Sequence, residues 1–396
     1  MQAVEWKWRY PLILLAEVTI KRFAMTKLPS GLAANDPKVM RHLRRPWDTL
    51  ISERGLFVPK TFEDHKTHFL KAPDIKINKN TFYLSDTGRE ALSQMLNVLC
   101  ALSDIQKAHT RQEVYECLLK EYEAMWNRGF ETKLLDEIHE FLPRLLSALK
   151  ARVLRRRFYA RVTGVQLEGL DRLSIGRVVL RSCNDELKAS LRLSRSKDDD
   201  EYFDTTVAPF IEKNFENGLC LEGEYEADAK KSEQLFDSDC RTAISLLRLI
   251  LCSWAPEKIH LIKAPLRLWA DAPSNRRAML SVDMMTGGIS LHWGSNADTK
   301  GPLLNPENLE ILRRDWFWDD LCKILALDER NELEDIIVTG IKWIGDAQDD
   351  SDSASAFVKY WTCLEGAFSG NTGKVDAKKK VIRAKRNQNR PGGSSG

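Results

Sequence analysis

From Ser85 onward, apolar residues recur every three or four positions for about 65 residues, and that spacing predicts helices. The segment SDTGREALSQMLNVLCALSDIQKA opens on a Ser/Asp cap and sets Leu92, Met95, Leu96, Leu99 and Leu102 on one side. RQEVYECLLKEYEAMWNRG repeats the pattern with Val114, Leu118, Tyr122 and Met125, and is expected to stop at Gly129. ETKLLDEIHEFLPRLLSALKARV is a third helix, with Pro143 expected to kink it. Upstream, Pro46 and Pro59 punctuate HLRRPWDTLISERGLFVPKTFEDHKTHFL and predict short irregular elements. The first 35 residues show no clear period.

After residue 152 the period becomes two. RRFYARVTGVQLEGL alternates around Phe158, Ala160, Val162 and Val165, and RLSIGRVVLRSC, ELKASLRLSRS and GLCLEGEYEAD follow as further strands. AKKSEQLFDSDCRTAISLLRLILCSW then reads as a helix whose broad apolar face carries Leu235, Phe236, Ile244, Leu247, Ile250 and Leu251. KIHLIKAPLRLWA, RAMLSVDMM and GISLHWGS return to strand character, the last two joined by a TGG hairpin turn. NPENLEILRRDWFWDDLCKILAL starts at Asn-Pro, a cap and first turn, and NELEDIIVTGIKWIGDAQ and DSASAFVKYWTCLEGAFSG follow as helices. The fold class is therefore α+β. A helical region (1–152) precedes an antiparallel sheet with a packed helix (153–300), a helical domain (301–388) and a flexible tail (389–396) ending in PGGSSG.

Composition is that of an ordinary globular chain: 396 residues, 43% apolar, 30% charged. Eight cysteines without C-x-x-C spacing point to reduced, mostly buried thiols rather than a zinc site or disulfide scaffold. YPLILLA is too short for a membrane span and is followed by Glu17, which together with Glu5 argues against a secretory signal; a cytoplasmic protein with no membrane partner is expected. The net charge of +3 is uneven. Residues 374–390 hold eight basic side chains against the single acid Asp376, so this segment carries +7 and the rest −4. A second basic cluster, KARVLRRRFYAR, covers 150–161. Such asymmetry is compatible with a nucleic-acid partner, against the plainer reading of a solvated helix face and a frayed tail.

Chemistry-bearing motifs are sparse. His65 and His68 share a face only if helical, with Glu63 and Asp64 as the nearest supplements, and two ligands make no metal site; no metal and no cofactor are expected. There is no phosphate loop, since SGNTGK lacks the spacing and the preceding strand, and no G-x-S-x-G elbow. Trp316 lies with Ile311, Leu312 and Leu321 at core-like helical spacing. In AFVKYWTCLEGAFSG, Phe357, Trp361, Leu364 and Phe368 make one apolar stripe, bordered by Glu365.

IKWIGDAQDDSDSASAFVKYWTCLEGAFSG resembles the Apea-like branch of the HEPN family, with Trp343, Asp346, Trp361, Leu364 and Glu365 at the motif positions; GVQLEGLDRLSIGRVVLRS and the segment from Leu219 to Ile250 look like the sheet-plus-helix region before such a domain. The resemblance spans about 155–385 and implies a helical bundle, here C-terminally incomplete, of the prokaryotic defence or stress type. It also implies a metal-independent ribonuclease pair, Arg, four to six residues, His, assembled at a homodimer interface. His292 is the last histidine and lies upstream of that helix, so no catalytic residue is assigned. Trp343, Trp361, Leu364 and Glu365 then have structural or supporting roles. Lys378, Lys379, Lys380, Arg383, Lys385 and Arg386 are the candidate RNA contacts. Expected partners are RNA and a second copy; the alternatives are a truncated form of an endoribonuclease, or a non-catalytic dimerisation protein.

Overall fold

The structure, a computed structural model, describes residues 36–52, 56–57, 74–77, 80–132, 137–183, 201, 203–215, 218–254, 267–268, 279–292, 303–350 and 352–369. It is α+β and forms two compact units, 1–149 and 150–396.

In the first unit, α1 (Pro37–Ile51) starts at Asp36, whose carboxylate accepts from the Lys38 amide at 2.8 Å. It runs through Pro46, where the sequence predicted a break. An interior proline costs about 3 kcal/mol. Val39, Leu43, Trp47 and Leu50 are all fully buried along one side, at roughly 1.5–3 kcal/mol each, so packing wins. β1 (Leu56–Phe57), β2 (Asp74–Ile77) and β3 (Asn80–Leu84) form a small antiparallel sheet in a region read as helical or irregular. α2 (Asp86–Cys100), α3 (Ser103–Ala108), α4 (Arg111–Thr132) and α5 (Ile138–Lys150) complete the unit. Both predicted stripes, Leu92 to Leu102 and Val114 to Met125, are buried. α4 passes through Gly129 rather than stopping there. Pro143 sits inside α5 between the buried Leu142 and Leu145. Tyr122 donates to the Leu50 carbonyl at 2.7 Å and ties α4 to the end of α1.

The second unit is built on an antiparallel sheet: β4 (Leu154–Thr163), β6 (Arg172–Ile175), β7 (Val178–Ser182), β8 (Leu219–Ala227), β10 (Met279–Asp283) and β11 (Ile289–His292), in the order β11-β10-β4-β8-β7-β6. The short β9 (Arg267–Leu268) joins the end of β4, and β5 (Gln166–Leu167) pairs separately with β12 (Leu303–Leu304). RLSIGRVVLRSC is a hairpin rather than one strand: Gly176, at φ +64°, turns β6 into β7. ELKASLRLSRS lies outside the described residues, as does most of KIHLIKAPLRLWA.

β8 pairs with β4 over nine residues, and the alternation of both strands sorts two faces. One face carries Phe158, Val162, Leu221 and Tyr225, and α7 (Ala229–Trp254) lies across it through Phe236, Cys240, Ala243, Ile244, Leu247 and Ile250. The Phe158 and Phe236 rings stack at 5.2 Å over Gly223, where an added Cβ would lie 2.9 Å from the Tyr225 ring. The other face sets Arg155, Arg157, Tyr159 and Arg161 opposite Glu226, Glu224, Glu222 and Cys220. Arg157 reaches Glu224 at 3.1 Å and Glu222 at 3.5 Å, Arg181 reaches Glu222 at 3.1 Å, and Arg155 pairs with Glu224. Much of the basic cluster at 150–161 is thus matched by the acids of β8. Beside this ladder, one π-helical turn (Phe203–Val207) and α6 (Ala208–Phe215) bury Phe210 and Phe215 against Tyr159, Cys220, Leu280 and Val282.

The C-terminal helices share the core of the sheet and α7: Leu309, Leu312, Trp318, Leu325, Val338 and Ile341 pack in one cluster with Phe158, Leu221 and Phe236. The Asn305 side chain caps α8 (Pro306–Trp316) at the Asn308 amide, 2.8 Å. The helix expected to continue breaks at Phe317, φ +51°, and resumes as α9 (Trp318–Ala326). That left-handed residue directs Trp318 into the core and packs Trp316 against it, while Phe317 is 70% exposed. α10 (Glu332–Asp349) opens with a capping box between Asn331 and Glu334 and is followed by α11 (Ser353–Ser369). α10 docks on α7 where Gly345 meets Ser245: an added Cβ would fall 1.8 Å from the Ser245 Oγ and 2.5 Å from its Cβ. Gly345→Ala is therefore expected to destabilise the protein by about 1–3 kcal/mol in denaturant unfolding, and an unchanged midpoint would refute this contact.

Candidate functional site

Two features of the second unit stand out. The first is α11. Ala356, Lys359 and Cys363 face α10, with the Cys363 thiol donating to the Gly340 carbonyl at 3.5 Å. The turn between the helices is held by Asp350, which pairs with Lys359 at 2.8 Å and accepts from the Ser355 hydroxyl. These bonds hold the Asp350 carboxyl well below the usual carboxylate range. Lys359 also donates to the Asp346 carbonyl at 3.2 Å. The packing side of α11 is thus small or polar. The opposite side carries Phe357, Trp361 and Leu364, at 65, 58 and 51% exposure, with Val358 and Tyr360 flanking them. Glu365 is exposed at the edge of the same side. Among the described residues the predicted stripe therefore points outward. Trp343 is half-buried on α10. The side chain of Phe368 and Lys378, Lys379, Lys380, Arg383, Lys385 and Arg386 lie outside the described residues.

The second feature went unread in the sequence. Tyr225, on the core face of β8, donates to the Asp239 carboxylate of α7 at 2.7 Å. Burial pushes the Asp239 carboxyl above its ordinary value, and the Tyr225 hydroxyl, Arg177, Lys342 and Arg330 pull the other way. Burial and the facing carboxylate push the Tyr225 phenol far up. Lys342 of α10 reaches the Ser238 hydroxyl at 3.3 Å. Arg177, from the β6–β7 turn, donates to the Ala326 carbonyl at 3.2 Å and pairs with Asp328. Arg330 donates to the carbonyls of Ile324 and Leu325, each at 3.0 Å. Four segments distant in sequence thus converge on one carboxylate. The available signal was an acid set three or four residues from Leu235, Phe236 and Ala243, inside the apolar stripe of α7.

Other expectations concern single residues. Trp316 packs on the core as its spacing predicted. His65, His68 and His260 lie outside the described residues, and His109 and His139 belong to the first unit. His292 ends β11. Among the described residues no three His, Cys, Asp or Glu side chains stand together as a metal site. No helix among them is long and apolar enough to cross a membrane.

Because its native pKa is raised, Asp239 favours the folded state when protonated. That contribution is present below the ordinary carboxylate pKa and is lost as pH rises through the native one. Asp239→Asn keeps the bond from Tyr225 and removes the half-buried charge. Its melting temperature is expected to exceed the parent's at pH 7, and the gap to close as pH falls through the titration of Asp239. A lower midpoint at pH 7 would show that the facing cations outweigh burial. No protein-family model, curated protein or solved structure matches this chain.

Proposed function

We propose that this is a HEPN-like protein of the prokaryotic defence or stress type that works by contact rather than catalysis, and that α11 is where a second copy pairs. The observation that carries the reading is the outward stripe of Phe357, Trp361 and Leu364 on a helix whose inner side is already satisfied by α10. Large apolar side chains grouped in this way mark an interface more often than scattered ones do. A two-fold axis sets like stripe against like, which suits an apolar surface whose charge, Glu365, lies at its edge. The single cation on α11, Lys359, is engaged with Asp350, so the helix offers no excess positive charge to a phosphate backbone. At about 1.5 Å per residue, the helix presents roughly 25 Å of contact. Two α10–α11 hairpins packed this way make a four-helix bundle.

Sedimentation velocity on the full chain at about 100 µM is expected to show a dimer, enough to populate a micromolar association. Trp361→Lys with Leu364→Glu is expected to yield a monomer whose melting temperature stays close to the parent monomer's, since both side chains are solvent-facing. A monomeric parent, or a dimer indifferent to both substitutions, would refute the pairing.

The +7 segment that follows α11 in sequence favours a second reading, RNA contact. Binding of single-stranded RNA is then expected to weaken with salt, at a slope of roughly −4 in log–log terms for six contacts. Alanine at Lys378, Lys379, Lys380, Arg383, Lys385 and Arg386 is expected to abolish it, and unchanged binding would rule the segment out.

A further inference from the structure

Three cations gather at the junction around Asp239. Arg177 and Arg330 are fixed side by side, because their donors take the successive carbonyls of Ile324, Leu325 and Ala326 at the end of α9. Lys342 is brought to the same place by the hydroxyl of Ser238, the residue before Asp239. Against these three cations stand Asp239, which faces all of them, and Asp328, bonded to Arg177. The helix end offsets about half a charge more. Among the described residues, the guanidinium Nη1 groups of Arg177 and Arg330 and the remaining protons of Lys342 have no further acceptor. Arg177 and Arg330 are half-buried, where a cation attracts an anion more strongly than it would in open water.

We propose that this junction seats a phosphate-type oxyanion held by Arg177, Arg330 and Lys342, with the Ser238 hydroxyl as a further donor. Three cations arriving from three segments suit a tetrahedral oxyanion of more than one charge better than a planar carboxylate, and the planar donor fork of arginine matches phosphate oxygens. Asp239 opposes the anion and sets its affinity. The seat is separate from the α11 face, so its test is independent of oligomeric state.

Calorimetric titration of inorganic phosphate into the full chain, at pH 7 and ionic strength matched with sodium chloride, is expected to show saturable binding. Lys342→Gln removes an exposed, charge-bearing donor and is expected to weaken binding by about fivefold or more, while Asp239→Asn removes the opposing charge and is expected to tighten it by about threefold or more. A role confined to structure would not move affinity in opposite directions in two folded variants, and circular dichroism confirms that each is folded. Adenosine 5′-monophosphate in place of phosphate distinguishes the source: tighter binding assigns the seat to a nucleotide phosphate, equal binding to the free ion. Phosphate heats no greater than those of chloride, or an affinity unchanged in both variants, would overturn the proposal.

Discussion

The β4–β8 pairing is the interaction on which the second unit depends. Nine consecutive cross-strand partners align two alternating patterns, so that one register buries Phe158, Val162, Leu221 and Tyr225 and sets Arg155 and Arg157 against Glu224 and Glu222. A slip of one residue would expose the aromatics and place arginines under α7. The ion pairs are partly solvated and each contributes little by itself. Their weight lies in specificity, since a one-residue slip would break them together with the apolar face. The same pairing changes the meaning of the basic run at 150–161: as a sequence it suggests a polyanion partner, and in the fold a strand of this chain supplies acids to it.

α7 turns that sheet into a scaffold. Its apolar side covers the sheet through Phe236, Ile244 and Leu247, and α10 reaches its flank because Gly345 leaves room for Ser245. Close approach of two helix backbones at a small residue leaves no space for a larger one, which fixes where α10 sits and therefore where α11 stands. Tyr225, Asp239 and Lys342 occupy the same junction. The carboxylate there is kept against the cost of its burial, and buried perturbed acids in polar clusters are over-represented at working sites.

α11 shows how little of a helix need be committed to its own fold. Ala356, Lys359 and Cys363 suffice to dock it on α10, and the ion pair with Asp350 fixes the turn. The bulkier side chains face outward. The aromatic stripe is thus the outward side of the helix rather than its packing side. Apolar periodicity states that a face is buried in something, and leaves open whether that something belongs to the same chain.

The sequence alone determined most of the elements and several of their faces, because a period of 3.6 or 2 and a capping residue are local properties of the backbone. The stripes from Leu92 to Met125, the Asn305 cap, the long helix at 229–254 and the alternation of β4 and β8 all follow from residues within a few positions of one another. What required the tertiary structure were matters of competition and distance. Pro46 stays inside a helix because burial of its neighbours exceeds its cost, and Phe317 breaks one so that two tryptophans can pack. The acids of β8 neutralise arginines some 65 residues away in the chain, and Arg177, Tyr225, Asp239, Arg330 and Lys342 meet only after the sheet, the long helix and the C-terminal helices have closed on one core. Local pattern carries the energy of an element; only the folded chain sets which elements share a boundary, and so which charges must answer one another.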